Sequence, residues 1–184
     1  WTLFAVIAAL MLICELVPAT WIQFGPVATV TPLWMFAFAL MLLGSPAAAV
    51  TAAVLGTTLH AVRSTANTST IILHVGGAAL SLSTAGLVLM AMDVHGSITY
   101  FDTVPWRWGL AIVLTGFSIV VANALVAAID LSLRRRISFV GLLRRGIGAR
   151  VTAEGALLSL APLWVIGVNF SIVLVPLLGI TTLL

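Results

Sequence analysis

Few side chains in this sequence could do chemistry, and most of them sit in apolar company. Glu15 closes the first apolar run, three residues before Pro18. A carboxylate inside a membrane span is costly, so it marks a site or finds a partner; the plainer alternative is a place at the membrane surface. His60, Arg63, Asn67 and His74 gather around the polar break "RSTANTST" at 63–70. Two imidazoles could bind a metal, but His60 and His74 lie on different segments with no third ligand beside them in sequence. Interfacial histidines or polar packing are the expectation, and no metal site is assigned. Asn123 lies inside another apolar segment, where its amide needs partners. A hydrogen bond between helices is the first reading and a ligand contact the second. Glu15, His60, His74 and Asn123 are therefore the candidate ligand-binding residues. Glu154 follows Arg150 by four residues, the spacing of a surface ion pair on a helix. Asn169 suits a hairpin turn.

These groups point to binding rather than turnover. There is no Walker loop, no GxGxxG, no HExxH, no CxxC and no Ser-His-Asp set in a recognisable context. Catalysis by this chain alone is not expected, and neither is a cofactor. The single cysteine, Cys14, lies in an apolar run and cannot form an internal disulfide, so packing is its expected role.

The positive charge is concentrated. Six of the eight arginines fall in "DLSLRRRISFVGLLRRGIGAR" at 130–150, and the chain has no lysine. Drawn as one helix, Leu133, Ile137, Val140, Leu143 and Ile147 share a face, with Arg134, Arg135, Ser138 and Arg145 opposite. Arg136 and Arg144 flank the apolar face, where long side chains can snorkel. That is the pattern of an interfacial helix on an anionic inner leaflet, a basic amphipathic connector. Arg134, Arg135, Arg136, Arg144 and Arg145 are its candidate membrane-surface or docking residues. The competing reading is an ordinary cytoplasmic loop that obeys the positive-inside rule. Neither reading involves nucleic acid.

The elements that must position these residues are long apolar segments. Of 184 residues, 62% are hydrophobic and 7% charged. The mean hydropathy is +1.25. This composition predicts an all-α fold, a polytopic transmembrane helical bundle of six to seven segments forming one integral-membrane domain over 1–184. The short alternating strands of a membrane barrel are not visible in the sequence. Segments are expected at 1–19, 27–43, 47–62, 71–92 and 109–128. The final apolar stretch, 155–184, would be roughly 45 Å long as one helix, against a bilayer core of about 30 Å, so it is split near "GVNFS". "GSP" at 44–46 predicts a turn, with Gly44 freeing the backbone and Pro46 opening the next helix. The small-residue third segment would let helices approach closely. Trp21, Trp34, Tyr100, Trp106 and Trp108 are expected interface anchors. Arginine placement puts 130–150 and the Arg63 loop in the cytoplasm, and the loop with Asp93 and Asp102 outside. The C-terminus then exits to the cytoplasm. The first residue is Trp, and the last six, "GITTLL", are still apolar. A piece of a longer protein is the expectation, from a bacterial inner membrane.

Three stretches together resemble a known family: "ELVPATWIQFGPVATVTPLWMFAFALMLLGSPAAAVTAAVLGTTL", "NALVAAIDLSLRRRISFVGLLRR" and "AEGALLSLAPLWVIGVNFSIVLVPLLGI". They are similar to the N-terminal multi-span membrane domain of actinobacterial cyclic di-GMP signalling proteins, which carry GGDEF and often EAL domains after the last span. The telling parts are Glu-Leu-x-Pro at 15–18, the Gly-Ser-Pro turn, and Pro162 with Pro176. The resemblance covers most of the chain and implies a sensory or regulatory membrane domain that signals to an output domain in cis, expected beyond residue 184. The ligand of that family is generally undefined, so no binding residue is carried over. The chain itself contains neither GGDEF nor EAL. Its expected partners are the lipid bilayer, the anionic inner leaflet and that output domain, with a homodimer as one arrangement. The alternatives are a vitamin-like substrate-binding component of a transporter, with Glu15, Asn123 and the histidines lining a pocket, or a structural subunit of a membrane complex.

Overall fold

The computed structural model describes residues 2–16, 22–24, 28–63, 67–93, 105–135 and 138–170. Within them the chain forms α1 (Thr2–Leu16), β1 (Ile22–Phe24), β2 (Ala28–Val30), α2 (Leu33–Leu42), α3 (Pro46–Arg63), α4 (Thr68–Ala91), α5 (Pro105–Arg135) and α6 (Phe139–Phe170). The fold is helical, as expected, with one departure. The expected second segment, 27–43, is not one helix. Its first residues pair as β2 with β1 in a small antiparallel hairpin, Ile22 opposite Val30 and Phe24 opposite Ala28. Pro32 then starts a helix of only ten residues, where the Thr31 hydroxyl accepts the Leu33 N–H at 3.0 Å.

That short helix is the centre of the molecule. Leu33 and every residue from Met35 to Leu42 are buried. A helix that is apolar all round has no face for water and must be enclosed on every side. Helices α1, α3 and α6 pack against it, and α4 also touches it. The ring of Phe36 meets Trp164 of α6 edge-to-face, with centroids 5.0 Å apart and planes at 77°. At about 15 Å, ten helical residues span half a bilayer core, so α2 does not cross one.

The turn after α2 has the geometry expected of "GSP". Gly44 takes φ 85°. Its N–H donates to the Met41 carbonyl at 2.9 Å, and the Ser45 N–H donates to the Leu40 carbonyl at 3.3 Å. This pair of bonds closes the helix end around a left-handed residue, a conformation that favours glycine. Pro46 is the first residue of α3, where its missing N–H leaves no bond unmade.

Helices α3, α4 and α5 then run back and forth. Pro46 at the start of α3 approaches Gly86 near the end of α4, so the two are antiparallel. Gly77 of α4 faces Val126 of α5, and Ser81 faces Asn123, so sequence rises on one helix as it falls on the other. This register places the α3–α4 connection, with Arg63, at the same end as the C-terminus of α5, with Arg134 and Arg135.

Helices α4 and α5 are long and apolar enough to cross a membrane, over Thr68–Ala91 and Trp106–Leu133. The arginine stretch is not one interfacial helix. It divides: Asp130 to Arg135 close α5, and Phe139 to Arg150 open α6. Leu133 and Val140, expected on one face of one helix, therefore belong to different helices and are both exposed. Helix α6 continues unbroken through Pro162 to Phe170. Asn169 is thus helical rather than in a turn. Whether a second helix comes after "GVNFS" lies outside the described residues. Trp34 and Trp108 are half-buried against the core. Trp106 is exposed, with the Arg107 guanidinium 5.6 Å from its ring centroid; Trp21 and Tyr100 lie outside the described side chains.

Candidate functional site

Most hydroxyls in these helices satisfy themselves locally. Thr57 donates to the Ala53 carbonyl, Thr58 to Val54, Thr84 to Leu80 and Ser159 to Ala156, all at 2.6–2.8 Å. Such bonds to the preceding turn let a polar side chain sit in apolar surroundings. Against that background, four buried polar residues stand out among the described ones: Ser81, Thr115, Asn123 and Glu154. They lie on three neighbouring helices, α4, α5 and α6.

The best-defined contact joins α4 to α5. The Ser81 hydroxyl donates to Oδ1 of Asn123 at 3.2 Å, with both residues buried. Asn123 therefore makes the bond between helices that its position inside an apolar segment anticipates. One turn before Ser81, Gly77 brings the backbones together: a Cβ there would lie 2.7 Å from Cγ1 of Val126. Small residues at Gly77, Ser81 and Ala85 recur every four positions and are all buried. That spacing lets α4 lie close enough for a short side chain to reach Asn123. Removing one partner by Ser81→Ala or Asn123→Leu should cost about 0.5–1.5 kcal/mol, with a coupling of about 0.6 kcal/mol in the double-mutant cycle. Reversible unfolding of the two single variants and the double variant measures it. A coupling indistinguishable from zero would remove the bond from any account of the seam.

Glu154 corrects the sequence reading. It is not a surface residue; it is 4% exposed. The buried stripe of α6 runs through Ala153, Glu154, Leu157, Leu158, Ala161, Trp164 and Val165, while Thr152, Ala156, Ser159 and Leu163 face outward. The i,i+4 spacing from Arg150 suggests a solvent-facing pair. The stronger signal is the helical period that Glu154 shares with Leu158, Ala161 and Val165. Along the helices, Asn123 lies twelve residues before the end of α5 and Glu154 fifteen after the start of α6. As rises along their own helices these are roughly 18 and 22 Å, and Asn123 is bonded to Ser81 across the α4–α5 seam.

The four candidate ligand-binding residues lie on four helices, α1, α3, α4 and α5. Asn123 is buried, His60 is half-buried near the end of α3, and His74 is exposed on α4. Glu15 is in the last turn of α1, and its side chain lies outside those described. Among the described residues no group of three or more metal-ligating side chains gathers. Arg144 is exposed in the first turns of α6. Arg134, Arg135 and Arg145 are helical, but their side chains, like the whole of Arg136, lie outside the described ones. Ser81 and Thr115 escape sequence reasoning because hydroxyls are unremarkable in such helices; only the four-residue spacing of Gly77, Ser81 and Ala85 could single out the first. The Thr115 hydroxyl is enclosed without a hydrogen bond of its own.

No family model matches this chain, and no curated protein or solved structure does. The α4–α5 seam offers an amide and a hydroxyl, and α6 carries one buried carboxyl. Such a set can hold helices together, accept or donate hydrogen bonds, and exchange a proton.

Proposed function

We propose that the chain is a sensory or regulatory domain embedded in a membrane as a polytopic helical bundle. Its last helices pass changes in packing to a cytoplasmic output domain expected beyond residue 184, of the cyclic di-GMP synthesis or hydrolysis type. The observation that carries the membrane part is the outer surface. Leu80, Leu87 and Met90 on α4 and Val113 and Phe117 on α5 are 58–67% exposed. A water-soluble surface does not present apolar side chains in such runs, whereas lipid tails match them. The central, fully apolar α2 fits the same medium.

Orientation is read from the arginines. Arg63 and the α5–α6 connection lie at one end of the α4–α5 pair, and that end is read as cytoplasmic. The exposed Arg144 there suits anionic headgroups. The signalling part is supported by the resemblance of the three stretches, from Glu15, Asn123 and Ala153 onward, to the membrane domains of cyclic di-GMP signalling proteins, and by the packing of α6. That helix touches both α5 and the central α2, so a change at either is carried along α6 towards the C-terminal side. A sensor needs two packings with different ligand affinity.

The test joins topology and output. Arg134, Arg135 and Arg136 are replaced together by glutamine in the full reading frame. Labelling of cysteines introduced at positions 63 and 98 reports orientation, and cyclic di-GMP turnover in membranes reports output. Mixed orientation is expected. If orientation holds and turnover changes, the arginines act by docking the output domain. A chain found in the soluble fraction, or a reading frame without a catalytic domain after residue 184, overturns the proposal.

A further inference from the structure

The outward faces of the two membrane-length helices differ in kind. From Leu110 to Ile129 the exposed residues of α5 are Leu110, Val113, Leu114, Phe117, Leu125 and Ile129, all bulky. Lipid tails cover such a face without help. Along α4 an outward stripe runs through Leu73, Gly76, Leu80, Ser83, Leu87 and Met90, half-buried at Leu73 and exposed at the other five. Its steps alternate between three and four residues. Leucine recurs at every seventh position, and Gly76, Ser83 and Met90 form a second row with the same period. The opposite side of α4, with Ala78, Leu82, Ala85 and Leu89, is buried in the bundle.

A seven-residue period is the pattern of a left-handed helix pair. The fold of one chain does not use it. Helix α4 meets its neighbours through other positions, with Gly86 against Pro46 and Gly77 against Val126. In lipid, apolar area alone does not drive helices together; close packing and hydrogen bonds do. The stripe supplies the means for both. A Cβ at Gly76 would meet nothing within 4 Å, so that position is open to a neighbouring helix. Ser83 puts a hydroxyl at the middle of the face. The area also suffices. Ile72, Leu80, Leu87 and Met90 are 58–67% exposed. At on the order of 110 Å² each, two such faces remove roughly 900 Å² before the small residues are added, close to the about 1,000 Å² of a specific interface.

We propose that this stripe of α4 is the surface on which a second copy of the chain docks. Insertion gives every copy one orientation, so two α4 helices run parallel about a two-fold axis along the membrane normal. Like residues then meet in layers, leucine on leucine and Ser83 on Ser83, and one surface serves both partners. No Asp, Glu, Lys or Arg lies between Thr68 and Ala91, so identical faces do not repel. Alanine at position 76 keeps its layer small, and the pairing tolerates it. The inference rests on the membrane reading but not on signalling or on any output domain.

The test is cysteine cross-linking of the chain in lipid vesicles. Each residue from 79 to 90 is replaced in turn by cysteine in a Cys14→Ala background, and circular dichroism checks that each variant folds. Disulfide-linked dimers are expected to peak at positions 80, 83, 87 and 90 and to fall between them. Phe117→Cys, on the bulky face of α5, should link far less than Ser83→Cys. Ser83→Trp should weaken pairing at least about tenfold, the effect of one overfilled layer, as read by single-molecule photobleaching in dilute vesicles. Linking without a period, or equal linking on α4 and α5, overturns the proposal. A chain that inserts into vesicles but stays monomeric overturns it as well and leaves the membrane reading standing. A chain that stays in aqueous solution without lipid, yet links with the same period, refutes the membrane reading and leaves the pairing surface standing.

Discussion

Gly77→Ala is expected to destabilise the protein by about 1–3 kcal/mol, while the same substitution one residue earlier, Gly76→Ala, stabilises it by about 0.5–1 kcal/mol. Both glycines lie inside α4, and in an unobstructed helix alanine is favoured over glycine. At Gly76 nothing lies within 4 Å of the added methyl group, so that preference is realised. At Gly77 the methyl group would meet Cγ1 of Val126 at 2.7 Å, with Cβ at 3.5 Å and Cγ2 at 3.6 Å. Val126 has little room to turn away, because a β-branched side chain in a helix holds one rotamer strongly. The α4–α5 seam must open, and the Ser81–Asn123 bond, one turn along, lengthens with it. Val126→Ala in the Gly77→Ala background should recover most of the loss, with a coupling of about 0.5–3 kcal/mol. Equilibrium unfolding of the four proteins in one detergent or lipid measures this. Equal effects at Gly76 and Gly77 would mean that the helices are not in close contact there.

Trp164→Ala should have the largest effect of any single truncation, about 3–5 kcal/mol. The indole is 1% exposed and stands edge-on to Phe36 of α2. Its removal leaves a large void between α6 and a central helix that has no other way to fill it. For a chain of this size the loss corresponds to a fall in Tm on the order of 10 °C. Trp164→Phe keeps an aromatic ring near Phe36 and should recover about half of the loss. A Tm within about 2 °C of wild type for the alanine variant would place Trp164 outside the core.

Much of the helix pattern can be read from the amino acids. The polar break at 63–70 and the turn at 44–46 fall where the chain reverses, because glycine, proline and short polar side chains act locally, through backbone freedom and missing or competing hydrogen bonds. Apolar segments 47–62 and 71–92 form α3 and α4 with only small changes at their ends. Packing is harder to read. "VATVTPLWMFAFALMLL" looks like one span because hydropathy counts apolar residues and is blind to the strand pairing and Pro32 that shorten the helix. The arginine stretch looks like one amphipathic helix because a periodic pattern survives on paper across the junction of α5 and α6. In the candidate site, Asn123 is legible, since an amide in an apolar segment must find a partner. Ser81 is not, since which hydroxyl is opposite depends on the approach of two backbones at Gly77. Glu154 is misplaced by its spacing to Arg150, a local cue, whereas its burial is decided by helices distant in sequence.

The enclosure of α2 has a consequence for the order in which the molecule is made. A ten-residue helix with no polar face has no stable form by itself, in water or across a lipid core. Its walls include α6, which leaves the ribosome roughly a hundred residues later, a long-range contact that closes slowly. Helix α2, the second of the described helices, must therefore wait, incompletely packed, until the last of them arrives. During that interval the apolar residues 33–43 are open to any other sticky surface, including another nascent copy. The α2 segment, among the oldest of the described helices, is thus locked in place by the youngest.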